Sequence, residues 1–397
     1  MLLYDLSHTS HSQARTGVQR VTLELRKALA QITPLEDITY DPYLRHWRKL
    51  EKWERQSLDQ VPSRSGKRGA YWPIRTQLKG WMSRPFASSH SEPKLSAVPS
   101  GFLTAEIFTP RTGKNLPQLF ERIKGPKVAI FHDAISMRMP QLAPSGTVGR
   151  FPGYLSELRQ FDGIVAVSED SRQSLIDYWQ WAGWPNTPPV IVSGLGLDHI
   201  ERRASQTDST ISDPQRLPVV LSVGSIEGRK NHLTLLDAAE DLWNAGESFE
   251  LRIIGTAQRE TGKSALARIK DLQAAGRPLV YEGWLSDDDL KLAYQSCSFT
   301  VYPSLMEGFG LPVWESLLNA APCICSHHGA TSETAKDGGC VTVDTSVKEQ
   351  LAQAMQSLLN TPAQLALLRQ QAQQRTPPTW SECAQRIKDW MTKIPAE

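Results

Sequence analysis

No run in this 397-residue sequence reaches the roughly 18 consecutive apolar residues that a transmembrane helix needs. Cysteine is scarce. Cys297, Cys323, Cys325, Cys340 and Cys383 have neither zinc spacing nor disulfide-scaffold density, so reduced, buried thiols are expected. Excess charge of one sign is also missing: 44 Lys and Arg against 42 Asp and Glu leave +2, which argues against nucleic acid as a partner. The opening "MLLYDLSHTSH" has no basic leader, and its apolar run is too short for a signal peptide. A cytoplasmic protein is expected, working at most at the inner face of a membrane. Metal-ligand clusters are absent too. His8 with His11, and His327 with His328, lack a third ligand, and Asp287–Asp289 opens a helix, where acids favour the dipole. The expectation is therefore no metal and no cofactor.

What the sequence does have is length for two domains and a regular alternation of elements. Short apolar β-branched runs such as "KVAIF" (Lys127–Phe131), "GIVAV" (Gly163–Val167), "PVVLSV" (Pro218–Val223) and "FTVYP" alternate with helical patterns. Continuous apolar strands separated by helices imply parallel sheets covered on both faces. Val18, Val21, Leu25, Ala28, Leu29 and Ile32 share one helical face, and Leu233, Leu236, Ala239 and Trp243 share another. The expected organisation is a first α/β domain over 1–200, a polar linker over 201–217, a second α/β domain over 218–378 and a closing helix over 379–397. Thr379 and Glu382 stand at capping-box spacing in that helix, which must dock on something. Both domains read as doubly wound and Rossmann-like, facing each other across a cleft, with ligands at the carboxyl ends of the strands.

An insertion over 45–100 breaks the pattern. Its Arg45–Pro85 part holds eleven Lys and Arg against three Asp and Glu, a net of +8, with Trp47, Trp53, Trp72 and Trp81 among them. An anionic membrane surface is one partner this composition suits; a solvated insertion with its tryptophans packed inward is the plainer reading.

Two motifs in the second half carry chemistry. "GSIEGRKN" puts Gly224, Ser225, Arg229 and Lys230 between a strand and a helix, where free backbone amides and two cations suit a diphosphate. "PSLMEGFGLPVWESL" puts Glu307 on a loop before Gly308, Phe309, Gly310 and Leu311, and Glu315 on the helix that follows. The loop carboxylate can orient sugar hydroxyls and the helix carboxylate can accept two ribose hydroxyls, while the glycines admit a ligand close to the backbone.

In order and spacing these motifs, with "TGVQRV", "FHDAI", "VSEDSR" and "GLD", resemble the retaining GT-B glycosyltransferases of glycosyltransferase family 4. The resemblance covers most of the chain outside the insertion. It implies that Lys230 and Arg229 hold the donor diphosphate, that Glu315 binds ribose and that Glu307 with Gly308–Gly310 contacts the donor sugar. It further implies that Gly17 approaches the phosphates or acceptor and that His132 bonds a hydroxyl of the transferred sugar. Ser225 stands where many relatives carry Arg. The closest likeness is to bacterial mannosyl- and rhamnosyltransferases of surface-polysaccharide pathways. GDP-mannose is thus the favoured donor ahead of a UDP- or dTDP-sugar, with a glycan or lipid-linked acceptor. His8 and His11, on the loop leading to Gly17, could touch that acceptor. A GT-B nucleotide-sugar epimerase and a non-catalytic nucleotide-sugar-binding scaffold subunit are the rival readings.

Overall fold

The computed structural model describes residues 1–12, 17–58, 71–83, 99–198 and 217–395. Residues 201–216 of the expected linker lie outside these, as do 59–70 and 84–98 of the insertion. The chain divides into two compact units. One comprises Met1–Asp133, Gly149–Gly196 and Pro378–Glu397, the other Ala134–Val148 and Leu197–Pro377.

The first unit is built on strands β1 (Leu2–Asp5), β2 (Leu35–Asp41), β3 (His46–Lys49), β4 (Gly101–Thr104), β5 (Lys127–Phe131), β6 (Gly163–Ala166) and β7 (Val190–Val192). Their order in the sheet is β3-β2-β1-β4-β5-β6-β7, parallel except for the antiparallel β2–β3 pair. The apolar runs are buried because helices cover them: Leu3, Phe102, Leu103, Val128 and Ile164 are all fully enclosed. The helix Gly17–Ile32 buries Val21, Leu25, Ala28 and Leu29, the face its periodicity implies.

The closing helix, Trp380–Met391, carries the complete capping box, with Thr379 and Glu382 satisfying each other's backbone amides. It belongs to this first unit and packs on Gly17–Ile32. Lys388 Nζ donates to the Ile32 carbonyl at 2.7 Å. A Cβ on Gly163 would lie 2.4 Å from the Trp390 ring, so glycine at that strand start is what admits the tryptophan.

The insertion departs from a plain surface excursion. Its first residues form β3, and Arg48 is buried between Asp41 (3.0 Å) and Glu54 (2.7 Å). Trp47 and Trp72 are buried, whereas Trp81 is 63 % exposed. Part of the basic segment is therefore core, and its charge is partly spent on internal pairs.

The second unit's sheet has β8 (Val219–Val223), β9 (Glu250–Ile254), β10 (Leu279–Glu282), β11 (Phe299–Tyr302), β12 (Cys323–Ser326) and β13 (Cys340–Val343). Every pairing is parallel, in the order β10-β9-β8-β11-β12-β13. Strand order reverses direction between β8 and β11, and in the first unit between β1 and β4. Such switch points open a crevice at the strands' carboxyl ends. The helix His232–Asn244 buries Leu235, Leu236, Ala238, Ala239, Leu242 and Trp243, while Leu233, expected on that face, is 40 % exposed.

Candidate functional site

The second unit's switch point is formed by the loops that follow β8 and β11, and both sequence motifs fall there. After β8, Gly224 turns with φ +152°, and Gly228–Lys230 make one tight 3₁₀ turn. Asn231, left-handed at φ 54°, then starts the helix His232–Asn244. An asparagine tolerates that conformation through local side-chain bonds. Here its amide donates to the Thr345 carbonyl at 2.6 Å and its oxygen accepts from Thr234 at 2.7 Å. After β11, the chain runs through Ser304 and Glu307 to Gly310, whose φ of +86° needs no side chain and caps the helix Leu311–Leu318. The Leu305 amide donates to the Arg229 carbonyl at 2.8 Å, which sews the two loops together.

Arg229 and Lys230 do not stand as unopposed charges. Glu307 Oε1 accepts from Lys230 Nζ at 2.7 Å and from Arg229 Nη1 at 2.7 Å, and also from Ser304 Oγ. Arg229 Nη2 pairs with Glu227 at 2.8 Å, and Glu227 accepts from Ser225 Oγ at 3.0 Å. Lys230 Nζ also reaches the Tyr302 hydroxyl. Two cations thus meet two carboxylates in a largely buried cluster. Burial works against Glu307's charge, but Arg229 and Lys230 outweigh it and hold the carboxyl at about 2. Lys230 is pushed down by burial and by Arg229, with Glu307 pulling it back up. Two of its three N–H donors are taken, so a ligand oxygen finds one on an ammonium already fixed in place.

His232, the first residue of the helix behind this turn, is buried. Burial and the Lys230 charge lower its pKa to about 3, so it is neutral. Its Nδ1 has no hydrogen-bond partner among the described residues. Glu315 is half-buried, with its Oε2 accepting from the Tyr294 hydroxyl at 3.1 Å.

Sequence reasoning missed Glu227, Tyr302, Ser304 and His232. The signal was available for two of them: Glu227 lies inside the "SIEGRK" turn, and Tyr302 is the last residue of its strand, where side chains reach the carboxyl-end crevice.

In the first unit, Gly17 opens its helix exposed, with nothing among the described residues within 4 Å of where a Cβ would stand. His132 follows β5 and is buried. Its Nε2 lies 2.7 Å from the Ala105 carbonyl and therefore carries the proton. Burial lowers its pKa, against opposing pulls from that bond and Asp133. The ring is neutral, and Nδ1 is left as an acceptor.

The switch point between β1 and β4 brings in two carboxyls that the motifs did not flag. Glu106 accepts from the His8 and Thr9 amides at 2.6 Å each. Asp5 accepts from Ser7 and from Thr104 Oγ1 at 3.0 Å. Burial, then repulsion from Asp5, lifts Glu106 to about 8. Glu106, His8, Tyr40 and Trp72 line a cavity of about 470 Å³. His8 thus has the access expected of it, but His11 does not. His11 is buried, its Nε2 2.7 Å from Glu54, and its ring stacks on Trp72 at 3.8 Å. It is a fastening for the insertion.

Residues 206–375 match the family described as Glycosyl transferases group 1. Over 340 residues, 81 % of this chain and 38 % of the relative, the sequence is 24 % identical to a serotype-specific mannosyltransferase WbdA of Escherichia coli. It is 27 % identical over 248 residues to the O-antigen chain mannosyltransferase B of Escherichia coli, covering 61 % of this chain and 63 % of that one. The chain thus spans less than two thirds of the length of either relative. The sucrose-phosphate synthase structure from Thermosynechococcus elongatus superposes with a TM-score of 0.67 at 17 % identity, covering 99 % of this chain and 98 % of that one.

Proposed function

We propose that this chain, GT-B in fold and matching Glycosyl transferases group 1 over residues 206–375, moves mannose from GDP-mannose to a glycan or lipid-linked acceptor, with the anomeric configuration retained. The observation that carries this reading is the cluster of Arg229, Lys230 and Glu307 at the second unit's switch point. Departure of the nucleoside diphosphate builds negative charge on its terminal phosphate. Two cations fixed beforehand by Glu307, Glu227 and Tyr302 stabilise that charge without reorganising, which is where preorganised electrostatics contribute most. With fixed cations in that role, no divalent ion is required. Glu307 holds both cations through Oε1 and keeps Oε2 for a donor-sugar hydroxyl, while the amides of Gly308–Gly310 come close to the sugar. Glu315 takes the ribose. Neutral His132 accepts a hydroxyl of the transferred sugar at Nδ1. In this reading no side chain is an obligatory base, because the leaving phosphate helps to take the acceptor proton.

The cavity lined by His8, Tyr40, Trp72 and Glu106 is the acceptor site in this proposal. Aromatic faces and a buried carboxyl suit a sugar ring. The names of the Escherichia coli relatives support mannose and O-antigen-type polysaccharide synthesis, and a lipid-linked acceptor would keep the enzyme at the inner face of the membrane.

The test is a thermal-shift screen over GDP, UDP and dTDP and their sugars, followed by transfer of labelled mannose in excess EDTA. Stabilisation by GDP-mannose and label in an oligosaccharide product are expected. Stabilisation by UDP- or dTDP-sugars alone rejects the donor. Conversion of the donor without an acceptor replaces transfer by epimerisation, and binding with no turnover leaves a scaffold. A metal requirement restored by add-back rejects the cation mechanism.

A further inference from the structure

The helix Ile74–Ser83 turns its apolar side to water. Ile74 is 71 % exposed, Leu78 54 %, Trp81 63 % and Met82 71 %, and Tyr71 just before the helix is 60 % exposed. Their spacing of i, i+4, i+7 and i+8 makes one stripe on one helical face. A contiguous apolar stripe on a fixed element marks an interaction surface, unlike single exposed leucines. The element is fixed: the Tyr71 amide donates to the His11 carbonyl at 2.7 Å, Trp72 stacks on His11, and Gln77 donates to the Trp72 carbonyl at 2.8 Å.

Charge beside the stripe says what covers it. Trp81 lines a cavity of about 620 Å³ with Arg45, Arg111 and Lys114, and among the described residues no carboxylate is in that lining. None of the three cations makes an ion pair among the described residues. They differ in this from Arg48, paired with Asp41 and Glu54, and from Lys49, paired with Glu36. Overall positive charge in the segment is therefore not the argument; these three side chains next to a tryptophan are. An apolar stripe, an indole at its edge and a cavity lined by Arg45, Arg111 and Lys114 match the layers of a bilayer surface: acyl chain, headgroup, phosphate.

We propose that the Ile74–Ser83 face inserts into the surface of an anionic bilayer, with lipid headgroup phosphates held among Arg45, Arg111 and Lys114. This rests on, and deepens, the membrane-peripheral part of the proposed function, but its test needs no transfer reaction, so either can fail alone.

The experiment is co-sedimentation of the full chain with vesicles of phosphatidylcholine, alone or mixed with phosphatidylglycerol, at low and raised salt. Two variants go in parallel: Ile74→Ser/Leu78→Ser/Trp81→Ser, and Arg45→Glu/Arg111→Glu/Lys114→Glu. Circular dichroism and melting curves confirm that both are folded. The wild type should bind the mixed vesicles, release in salt and ignore phosphatidylcholine. Each variant should lose about tenfold or more in affinity. Three results overturn the proposal: a wild type that ignores anionic vesicles at low salt; an apolar-face variant that binds like wild type; or a wild-type dimer, seen by sedimentation velocity, that this variant dissociates without any vesicle binding.

Discussion

In the proposed reading Lys230 is a binding residue and a stability residue at once. It is buried against Tyr302 and Glu307, so removing it deprives a ligand of its donor and also leaves Glu307 short of a partner. Lys230→Ala should weaken nucleotide diphosphate binding by about tenfold or more, since a bond to a charged group contributes about 1.5–3 kcal/mol. It should also lower the melting temperature. Lys230→Met/Glu307→Gln should recover much of the stability, because neither buried charge is then unmatched, yet none of the affinity. Calorimetry and melting curves on the three proteins decide it; affinity returning with stability would remove Lys230 from the phosphate role. Glu106 and Glu307 make opposite pH statements. Glu307 titrates at about 2 in the folded chain, below its ordinary value of 4.5, so its contribution is present above about 4.5 and fades as pH falls toward 2. Glu106 is held up at about 8, so the native state keeps a proton that the unfolded chain releases. Its contribution is complete below about 4.5 and is lost as pH rises toward 8. Denaturant melts between pH 5 and 8, as approximate bounds, should show stability of the first unit falling, and Glu106→Gln should flatten that slope. An unchanged slope in the variant would mean that Glu106 is already ionised at neutral pH.

At the scale of elements, periodicity served where one face is buried and the other wet. Gly17–Ile32 and Trp380–Met391 follow their patterns closely, down to the capping box. His232–Asn244 is buried along a wider arc, so the choice of Leu233 over Leu235 was not decidable from spacing alone. The basic strand-to-helix turn was legible because glycine, adjacent cations and a following helix are local signals. Its carboxylate counterweight was not, since Glu227, Tyr302 and Glu307 converge only when β8 and β11 lie side by side. The insertion was the least legible element. Nothing local says that Arg48 leaves water, or that His11 and Glu54, 43 positions apart, hydrogen-bond. That fastening gives a prediction. Glu54 accepts from His11, from both ends of the Arg48 guanidinium and from the Glu51 amide. Glu54→Ala leaves the buried Arg48 with Asp41 as its remaining carboxylate and should destabilise the first unit by about 3 kcal/mol. Lys52→Ala, exposed two positions earlier, should stay within about 0.5 kcal/mol. Urea melts distinguish them, and equal, small effects would show that the insertion is not tied down through this carboxylate.

For the whole molecule, order along the chain and membership of a unit part company. The last helix, Trp380–Met391, is separated from Gly17–Ile32 by nearly the full sequence, yet buries Trp380, Cys383, Ala384, Ile387 and Met391 within the first unit. Its Trp390 occupies the space left by Gly163, and Met391 lies against Gly101, so it completes a face of the first sheet. The cluster of Arg229, Lys230 and Glu307 lies entirely in the second unit. Burial of several large apolar side chains, each worth about 1.5–3 kcal/mol, is comparable with the net stability of a domain. Ending the chain at Pro377 should therefore unfold or severely loosen the first unit while the second keeps its core and the proposed nucleotide site. Differential scanning calorimetry with and without GDP should show one remaining transition that the nucleotide raises, with affinity within about twofold of the full chain. The proposed transfer should be lost, because His132 and the cavity around Glu106 belong to the unit that no longer folds. A truncated chain that melts in two transitions would show that the closing helix is dispensable. A single transition indifferent to GDP would show that the second unit depends on the first.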